Sequence, residues 1–296
     1  MRLLVTGARG LLAAAIVREF EAAGWDVVPL DRQALDVTDG AAVSQHIEDA
    51  RPDLVVNCVG YNNVDGAEAD AVSALEVNAL AVRHLSEAAR RAGAALVHYG
   101  TDFVFDGEAD RPYVEEDPPN PRSVYAASKL LGEWFALDHP RGYVLRVESL
   151  FGEPGPGGSR SGSLSSLVSR LQAGEPVPVF VDRTVSPGYT ADIASATRAL
   201  VERNAPPGIY HCVNAGAASW ADIAGEAARL LGLPLKMAPI TLESVALPAR
   251  RPKYSALSIA KLAAAGIVMP PWRDALARHL REHVKGEGTR EKGERG

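Results

Sequence analysis

The sequence predicts an α/β protein: a doubly wound parallel sheet followed by a smaller α/β domain. Three observations lead there. The first 150 residues alternate short apolar runs with Ala-rich stretches of helical length, the pattern of right-handed βαβ units whose parallel sheet is covered on both faces. The segment GEPGPGGSRSGS, Gly152 to Ser163, then interrupts with the composition of a mobile loop. Beyond it the helical stretches are shorter, which suits a smaller unit laid over the carboxyl edge of the sheet.

Taken in order, the apolar run Arg2–Val5 reads as the first strand, and the Ala-rich stretch from about Gly10 to Ala23 as the first helix. Asp26–Leu30 and Leu54–Asn57 read as the second and third strands. A long helical stretch covers roughly Glu68 to Ala92 and leads to a fourth strand at Ala95–Tyr99. A helix from about Val124 to Leu137 precedes the fifth strand, Tyr143–Val147. Helices near Leu164–Ala173, Thr190–Glu202 and Trp220–Leu231 follow. The expected division is residues 1–150 for the first domain and 151–285 mainly for the second, with 181–204 returning to the first. Residues 286–296, charged and Gly-punctuated, are expected to be a disordered tail.

Composition narrows the function. Apolar residues make 47% and charged residues 23% of the chain, ordinary globular values that permit a sizeable core. Lys plus Arg total 31 against 37 Asp plus Glu, a formal charge of −6, which argues against non-specific binding to nucleic acid or anionic membranes. The two cysteines, Cys58 and Cys212, cannot build a disulfide framework, so a reducing cytoplasm is expected. The start MRLLVTGARG has no signal-peptide cleavage pattern, and no apolar stretch approaches the ~18 residues of a membrane span.

The opening LLVTGARGLLAAAI is a strand, a Gly-bearing turn and a helix start. Gly7 allows the tight turn, and Gly10 lets backbone approach a pyrophosphate at the helix N-terminus, beside Leu11 and Leu12. Ala13 stands where a third Gly often permits close helix–strand packing. This is the signal of a dinucleotide-binding (Rossmann) unit. Asp31 ends the second strand about 20 positions on, where an acid bonds the ribose 2′-hydroxyl of NAD. Arg32, and Arg9 in the Gly loop, could instead pair with the 2′-phosphate of NADP, so NADPH and NADH both stay open. Asp36, with Val37, could face the adenine; the alternative for Asp36 or Asp39 is a helix cap, preferred for Asp39.

Tyr125 and Lys129 lie four residues apart, on one face of a helix. A phenol can protonate the alkoxide that hydride delivery builds on a ketone, and a nearby ammonium should lower its pKa and hold the nicotinamide ribose. Thr101, at the carboxyl end of the fourth strand, could polarise the carbonyl. The role of its neighbour Asp102 stays open. His98 reads as a satisfied core residue, His211 and Cys212 lack a second pair at metal-ligand spacing, and Trp220 and Trp272 read as helix packing. No metal site is expected.

These residues resemble a known family. The first 130 look like extended short-chain dehydrogenases, and the chain to about residue 285 resembles the dTDP-4-dehydrorhamnose reductases. The landmarks are VTGARGLL, NCVGYNNVDGAE (Asn57 to Glu68), Glu76-Val77-Asn78, GTDFVFDG, VYAASKLLGE, FVDRTVSPGYTADIA (Phe180 to Ala194) and RRPKYSALS (Arg250 to Ser258). The resemblance implies Thr101, Tyr125 and Lys129 as the catalytic set, Cys58, Val59, Gly60 and Asn78 beside the cofactor, and a dTDP-sugar ketone as substrate. On the substrate side, Asp65, Asp102, Ser149 and Arg183 are expected at the sugar, with Arg251 and Tyr254 as a diphosphate clamp. The alternative for Arg251 is a structural ion pair.

The departures fall in the substrate half. Gly100 replaces a Ser that often precedes the Thr, Ser149 stands at the place of a Trp, Val185 replaces a Gly, and Gly188 replaces a Thr. The family's dimers gather acidic residues around a metal, and Ala13 to Ala15 offer no equivalent; monomer and homodimer both stay open. Two rival readings use the same scaffold: a nucleotide-sugar epimerase or dehydratase that returns its hydride, and a non-catalytic dinucleotide-binding subunit resembling methionine adenosyltransferase β.

Overall fold

The computed structural model describes residues 1–158 and 162–281. The expectations for a mobile loop and a disordered tail fall partly or wholly on residues 159–161 and 282–296, outside the described residues. The chain runs β1 (Arg2–Thr6), α1 (Leu11–Ala22), β2 (Asp26–Leu30), α2 (Gly40–Ala50) and β3 (Leu54–Asn57). Next come α3 (Val64–Ala69), α4 (Ala71–Leu75), a π-helical turn at Glu76–Leu80, α5 (Ala81–Ala92) and β4 (Ala95–Thr101). Helix α6 (Val124–Leu137), β5 (Gly142–Val147) and the short β6 (Leu150–Phe151) follow. Beyond them lie α7 (Ser163–Gln172), β7 (Val177–Phe180), β8 (Thr184–Val185), β9 (Gly188–Tyr189), α8 (Thr190–Glu202) and β10 (Gly208–His211). β11 (Ala218–Ser219), α9 (Trp220–Leu231), β12 (Met237–Ile240), α10 (Ala260–Ala264) and a helix over 272–281 complete the described chain.

Six strands form one sheet in the order β2-β1-β3-β4-β5-β10, every pairing parallel. Successive residues of a strand point to opposite faces, and the packing divides accordingly. Leu3, Val5, Val56, Val97 and Leu145 meet α1 and α8 on one face, while Leu4, Val55, Leu96 and Val144 meet α2, α5 and α6 on the other. Each such buried aliphatic side chain stabilises by roughly 1.5–3 kcal/mol. A further core joins Leu167 and Leu171 of α7, Val177 and Val179 of β7, Ile223 and Ala227 of α9, and Trp272 and Leu276. The strand order reverses between β1 and β3, so a crevice opens at their carboxyl ends, where doubly wound sheets bind ligands.

Three sequence expectations need correction. The long helix begins not at Glu68 but with α4, where Asp70 leaves helical geometry (φ −130°) and accepts from Ser73 N–H at 3.1 Å. The π-helical turn then widens it at Asn78. Strand β4 runs on to Thr101 rather than stopping at Tyr99. Strand β10 closes the sheet beside β5 in a segment expected to offer only the His211–Cys212 pair. Its four residues, GIYH, are too short and too mixed for periodicity to register. Asp39 does cap α2, accepting from Ala41 and Ala42 N–H.

Candidate active site

A cavity of about 780 Å³ lies at the carboxyl edge of the sheet. Its walls come from the Gly loop and α1 (Arg9 to Ala13), the end of β3 (Cys58 to Gly60), the end of β4 (Tyr99 to Phe103), α6 (Tyr125, Lys129) and the end of β5 (Val147 to Leu150).

The side formed by the Gly loop and α1 is built by backbone. Gly7 has φ +75°, and a Cβ there would stand 3.2 Å from the Cys58 carbonyl carbon and from Val59 Cγ2, so the turn needs Gly both for its conformation and for its closeness to β3. Helix α1 starts at Gly10 with no side-chain cap and no acid in its first turn. Its free N–H groups and positive dipole end therefore open on the cavity, a place suited to a pyrophosphate. Ala13 is fully buried in the sheet core, so the smallest side chain does serve the close helix–strand packing.

At the end of β2, Arg9 and Asp31 are paired with each other at 2.7 Å. Asp31 also accepts from Gln33 and Ala34 N–H, and these bonds together with Arg9 hold its carboxyl below the usual range despite burial's opposing pull. Arg32 is exposed and outside the cavity wall. Asp36 is engaged in its own turn, accepting from Thr38 N–H and Oγ1, and Val37 is buried in the core. Asn78 is fully buried and not part of the wall. It ties Tyr61 N–H (2.8 Å) and Tyr61 O (3.2 Å) to Ser128 Oγ (2.9 Å), holding the segment after β3 against α6. Its part is to position Gly60 and α6, not to line the site.

The wall opposite follows from α6 and β4. Ser123 caps α6 by accepting from Ala126 N–H at 3.2 Å, and the helical spacing then presents Tyr125 and Lys129 together to the cavity. Thr101, Tyr125 and Lys129 are 5%, 8% and 5% exposed, so all three sit in the wall away from bulk water. Thr101 Oγ1 donates to Asp102 Oδ1 at 3.0 Å, and Thr101 and Tyr125 line the same cavity. Burial and the Asp102 charge push the Tyr125 phenol up to about 12, with Thr101 pulling the other way. The net direction is upward rather than the expected lowering, burial outweighing the opposing influences on the phenol. Lys129 Nζ donates to Tyr99 O at 2.6 Å, and its own pKa falls to about 8 by burial, against the pull of Glu133.

Gly100, noted above as a departure, has a steric reason. A Cβ there would stand 2.2 Å from Glu133 Oε1, which forms a buried pair with Arg146 at 2.9–3.2 Å. A Ser there needs the Glu133 carboxylate to move from its place against Arg146.

On the substrate side the structure separates the expected residues. Asp102 and Ser149 line the cavity, Ser149 with the left-handed φ of 44°, a strained setting common at functional sites. Arg183 and Arg251 instead line an adjoining recess of about 480 Å³ with Phe180, Val179 and Trp220. Arg251 is committed: its fork meets Asp65 at 2.9 and 2.6 Å, and Asp65 also accepts from Ala249 N–H. Asp65 is thereby an anchor for Arg251 and not a free sugar ligand. Tyr254 lies off both cavities, packed near Val104 and Phe105. Sequence reasoning missed Glu148, Phe103 and Trp220, all in the wall. Trp220 does pack on the second core, as expected, yet its other side faces the site.

His98 is half satisfied, its Nδ1 meeting Asn57 at 3.1 Å and its Nε2 unpartnered. His211 meets Tyr113 O at 3.1 Å, and among the described residues no group of three metal-ligating side chains occurs.

Comparison with known proteins places this geometry in a family. Residues 1–285 match the model of the RmlD substrate binding domain. A dTDP-4-dehydrorhamnose reductase of Streptomyces griseus is 39% identical over 284 residues, 93% of this chain and 91% of its own. A probable dTDP-4,6-dihydroxy-2-methyloxan-3-one 4-ketoreductase of Streptomyces antibioticus is 38% identical over 282 residues, 93% of each chain. The crystal structure of the Bacillus anthracis dTDP-4-dehydrorhamnose reductase in complex with NADP superposes with a TM-score of 0.90 at 30% identity, covering 95% of this chain and 99% of that one. On these matches this chain belongs to the dTDP-4-dehydrorhamnose reductase family.

Proposed function

We propose that this protein uses NADPH or NADH to reduce the 4-keto group of a nucleotide-linked deoxysugar, with dTDP-4-dehydrorhamnose as substrate and dTDP-rhamnose as product. The observation that carries the reading is the gathering of Tyr125, Thr101 and Lys129 on the cavity onto which the uncapped start of α1 also opens. The named activities of the Streptomyces relatives and the NADP of the Bacillus anthracis structure support it.

The residues present fit a dinucleotide. The N–H groups of α1's first turn would hold the pyrophosphate, Cys58 to Gly60 would flank the cofactor, and Lys129 would hold the nicotinamide ribose. When bound, a reduced nicotinamide supplies a hydride. Thr101 and Tyr125 hydroxyls bind the carbonyl oxygen of the sugar and exclude water from it, and Tyr125 gives its proton to the alkoxide oxygen. A phenol held near 12 remains protonated at neutral pH, and an alkoxide is the far stronger base, so donation runs downhill. Arg183, beside the adjoining recess, is the cation we assign to the substrate's diphosphate.

In the same reading residues 1–150 and 181–204 carry the cofactor and the remainder to 285 carries the sugar. The protein works in the cytoplasm as a monomer or homodimer, without nucleic-acid or membrane partners. Among the described residues no helix is long and apolar enough to cross a membrane.

Lys129 gives the pH dependence its sign. Below about 8 it is an ammonium and above it a neutral amine, so kcat/KM falls as pH rises through that value. A profile of Lys129→Met should be low throughout and lack this limb. The substrate assignment is tested by presenting dTDP-, UDP- and GDP-linked ketosugars with both reduced cofactors. Rapid cofactor oxidation only with the dTDP-linked 4-ketosugar is expected, and preference for another nucleotide would refute the dTDP assignment.

A further inference from the structure

A small hollow adjoins the reaction cavity, and nothing in the reaction above uses it. Ser149 and Trp220 stand in the wall of the cavity that carries Thr101 and Tyr125, and the same two residues border this second space. Its volume is about 10 Å³, and its other walls are Phe151, Leu164, Pro187, Ile223, Trp272 and Leu276. All of these but Pro187 belong to the second core.

The chain fixes where the hollow opens. Thr101 pairs with Val147 across β4 and β5, so Ser149 lies two residues past the partner of Thr101, on the same carboxyl edge. Its side chain is among the smallest, so little bulk separates the two spaces. Trp220 is held from the other side. Ser219 pairs with Thr184 across β11 and β8, and it caps α9 by accepting from Asp222 N–H at 3.1 Å while Asp222 accepts from Ser219 N–H at 2.9 Å. The first residue of α9 is thereby kept at the mouth.

Beyond Ser149 and Trp220 the walls carry no hydroxyl, amide or charged side chain. A space near 10–15 Å³ is about the least that admits one water, and a water needs two to four polar partners to stay. A hollow of this size and chemistry suits a single apolar group. Of the two carbons that flank the reacting carbonyl of a 4-ketohexose, C3 carries a hydroxyl, whereas C5 of a 6-deoxysugar carries a methyl. Only the methyl matches these walls.

We propose that the hollow seats the C5 methyl of the sugar, and that Trp220 and Ile223 make the enzyme select 6-deoxy-4-ketohexoses over 6-hydroxylated ones. The inference rests on the nucleotide-sugar reading above and narrows its substrate class. A methyl gains hydrocarbon contact there and gives up nothing to water. A hydroxymethyl brings a hydroxyl that leaves water and meets no acceptor among the side chains beyond the mouth. Apolar pockets of this kind separate such pairs by roughly 10- to 100-fold.

The test has a kinetic and a binding arm. The first compares kcat/KM with NADPH for dTDP-4-dehydrorhamnose and for its 6-hydroxylated analogue. The second measures, by calorimetry in the presence of NADP, the affinity for dTDP-rhamnose and for its 6-hydroxylated counterpart. In wild type the 6-deoxy member of each pair is expected to be favoured about 10- to 100-fold. Ile223→Thr puts a hydroxyl into the wall and should cut both ratios by roughly threefold or more, its Tm reporting that the fold is kept. Trp220→Leu opens the mouth and should lower kcat/KM for the 6-deoxy substrate more than for the analogue. Equal values within each pair overturn the proposal, and so does a folded Ile223→Thr enzyme with wild-type ratios. Preferential binding of dTDP-rhamnose by a protein that reduces no ketosugar upholds the methyl seat and places the failure in the reductase reading. Binding of neither sugar defeats the nucleotide-sugar reading, and the methyl seat with it.

Discussion

Tyr125→Phe is expected to lower kcat for ketosugar reduction by roughly 10²- to 10⁴-fold, with the affinity for NADPH nearly unchanged. The substitution removes one oxygen. The ring stays packed edge-on against Phe103, 5.7 Å between centroids, so the wall keeps its shape. What is lost is the proton donor to the alkoxide and one of two hydroxyls on the carbonyl oxygen. The split matters because the cofactor side is built from the Gly loop, the start of α1 and Lys129, none of which the change touches. Stopped-flow reduction and fluorescence titration with NADPH measure the two halves separately. A variant that turned over normally would remove Tyr125 from the chemistry.

The second large effect is on stability. Glu133 and Arg146 are 0% and 2% exposed and joined by three close contacts, so each is the other's charge partner in a dry environment. Glu133→Ala strands the guanidinium and should cost about 3–5 kcal/mol, read as a lower midpoint in urea unfolding. The Arg146 guanidinium also lies over the Phe105 ring at 5.0 Å, which fixes its plane but does not replace the lost charge. Because Glu133 lies one turn beyond Lys129 on α6, the loss should also loosen the helix that carries Tyr125. Glu133→Leu combined with Arg146→Met should recover much of the stability, since apolar replacement of both partners removes the stranded charge. A single Glu133→Ala variant as stable as wild type would show that water reaches the pair.

What could be read from the chain follows the range of the interactions. The Gly7–Gly10 loop and the Tyr125/Lys129 face are set by spacing within one turn or one helix, so their residue types announce them. The cap at Asp39 is equally local. The carboxyl edge of the sheet was legible because alternation of apolar runs determines topology in parallel α/β folds. Contacts made across the fold were not. Arg251 meets Asp65 across 186 residues, and nothing in either segment states that the fork is already taken. Arg9 and Asp31 each suggest a role at the ribose, yet the structure pairs them with one another. Glu148 passed without a role because its partners, Ser186 and Ser255, lie in other parts of the chain. Gly100 looked like a lost hydroxyl until Glu133 was seen to fill the space.

The most direct test follows the hydride. With NADPH carrying deuterium on the transferred position of its nicotinamide, dTDP-4-dehydrorhamnose should yield product with one deuterium at the sugar C4 for each NADP formed, resolved by NMR. Product without label at C4, or sugar conversion with no net consumption of NADPH, would contradict a reductase centred on Tyr125.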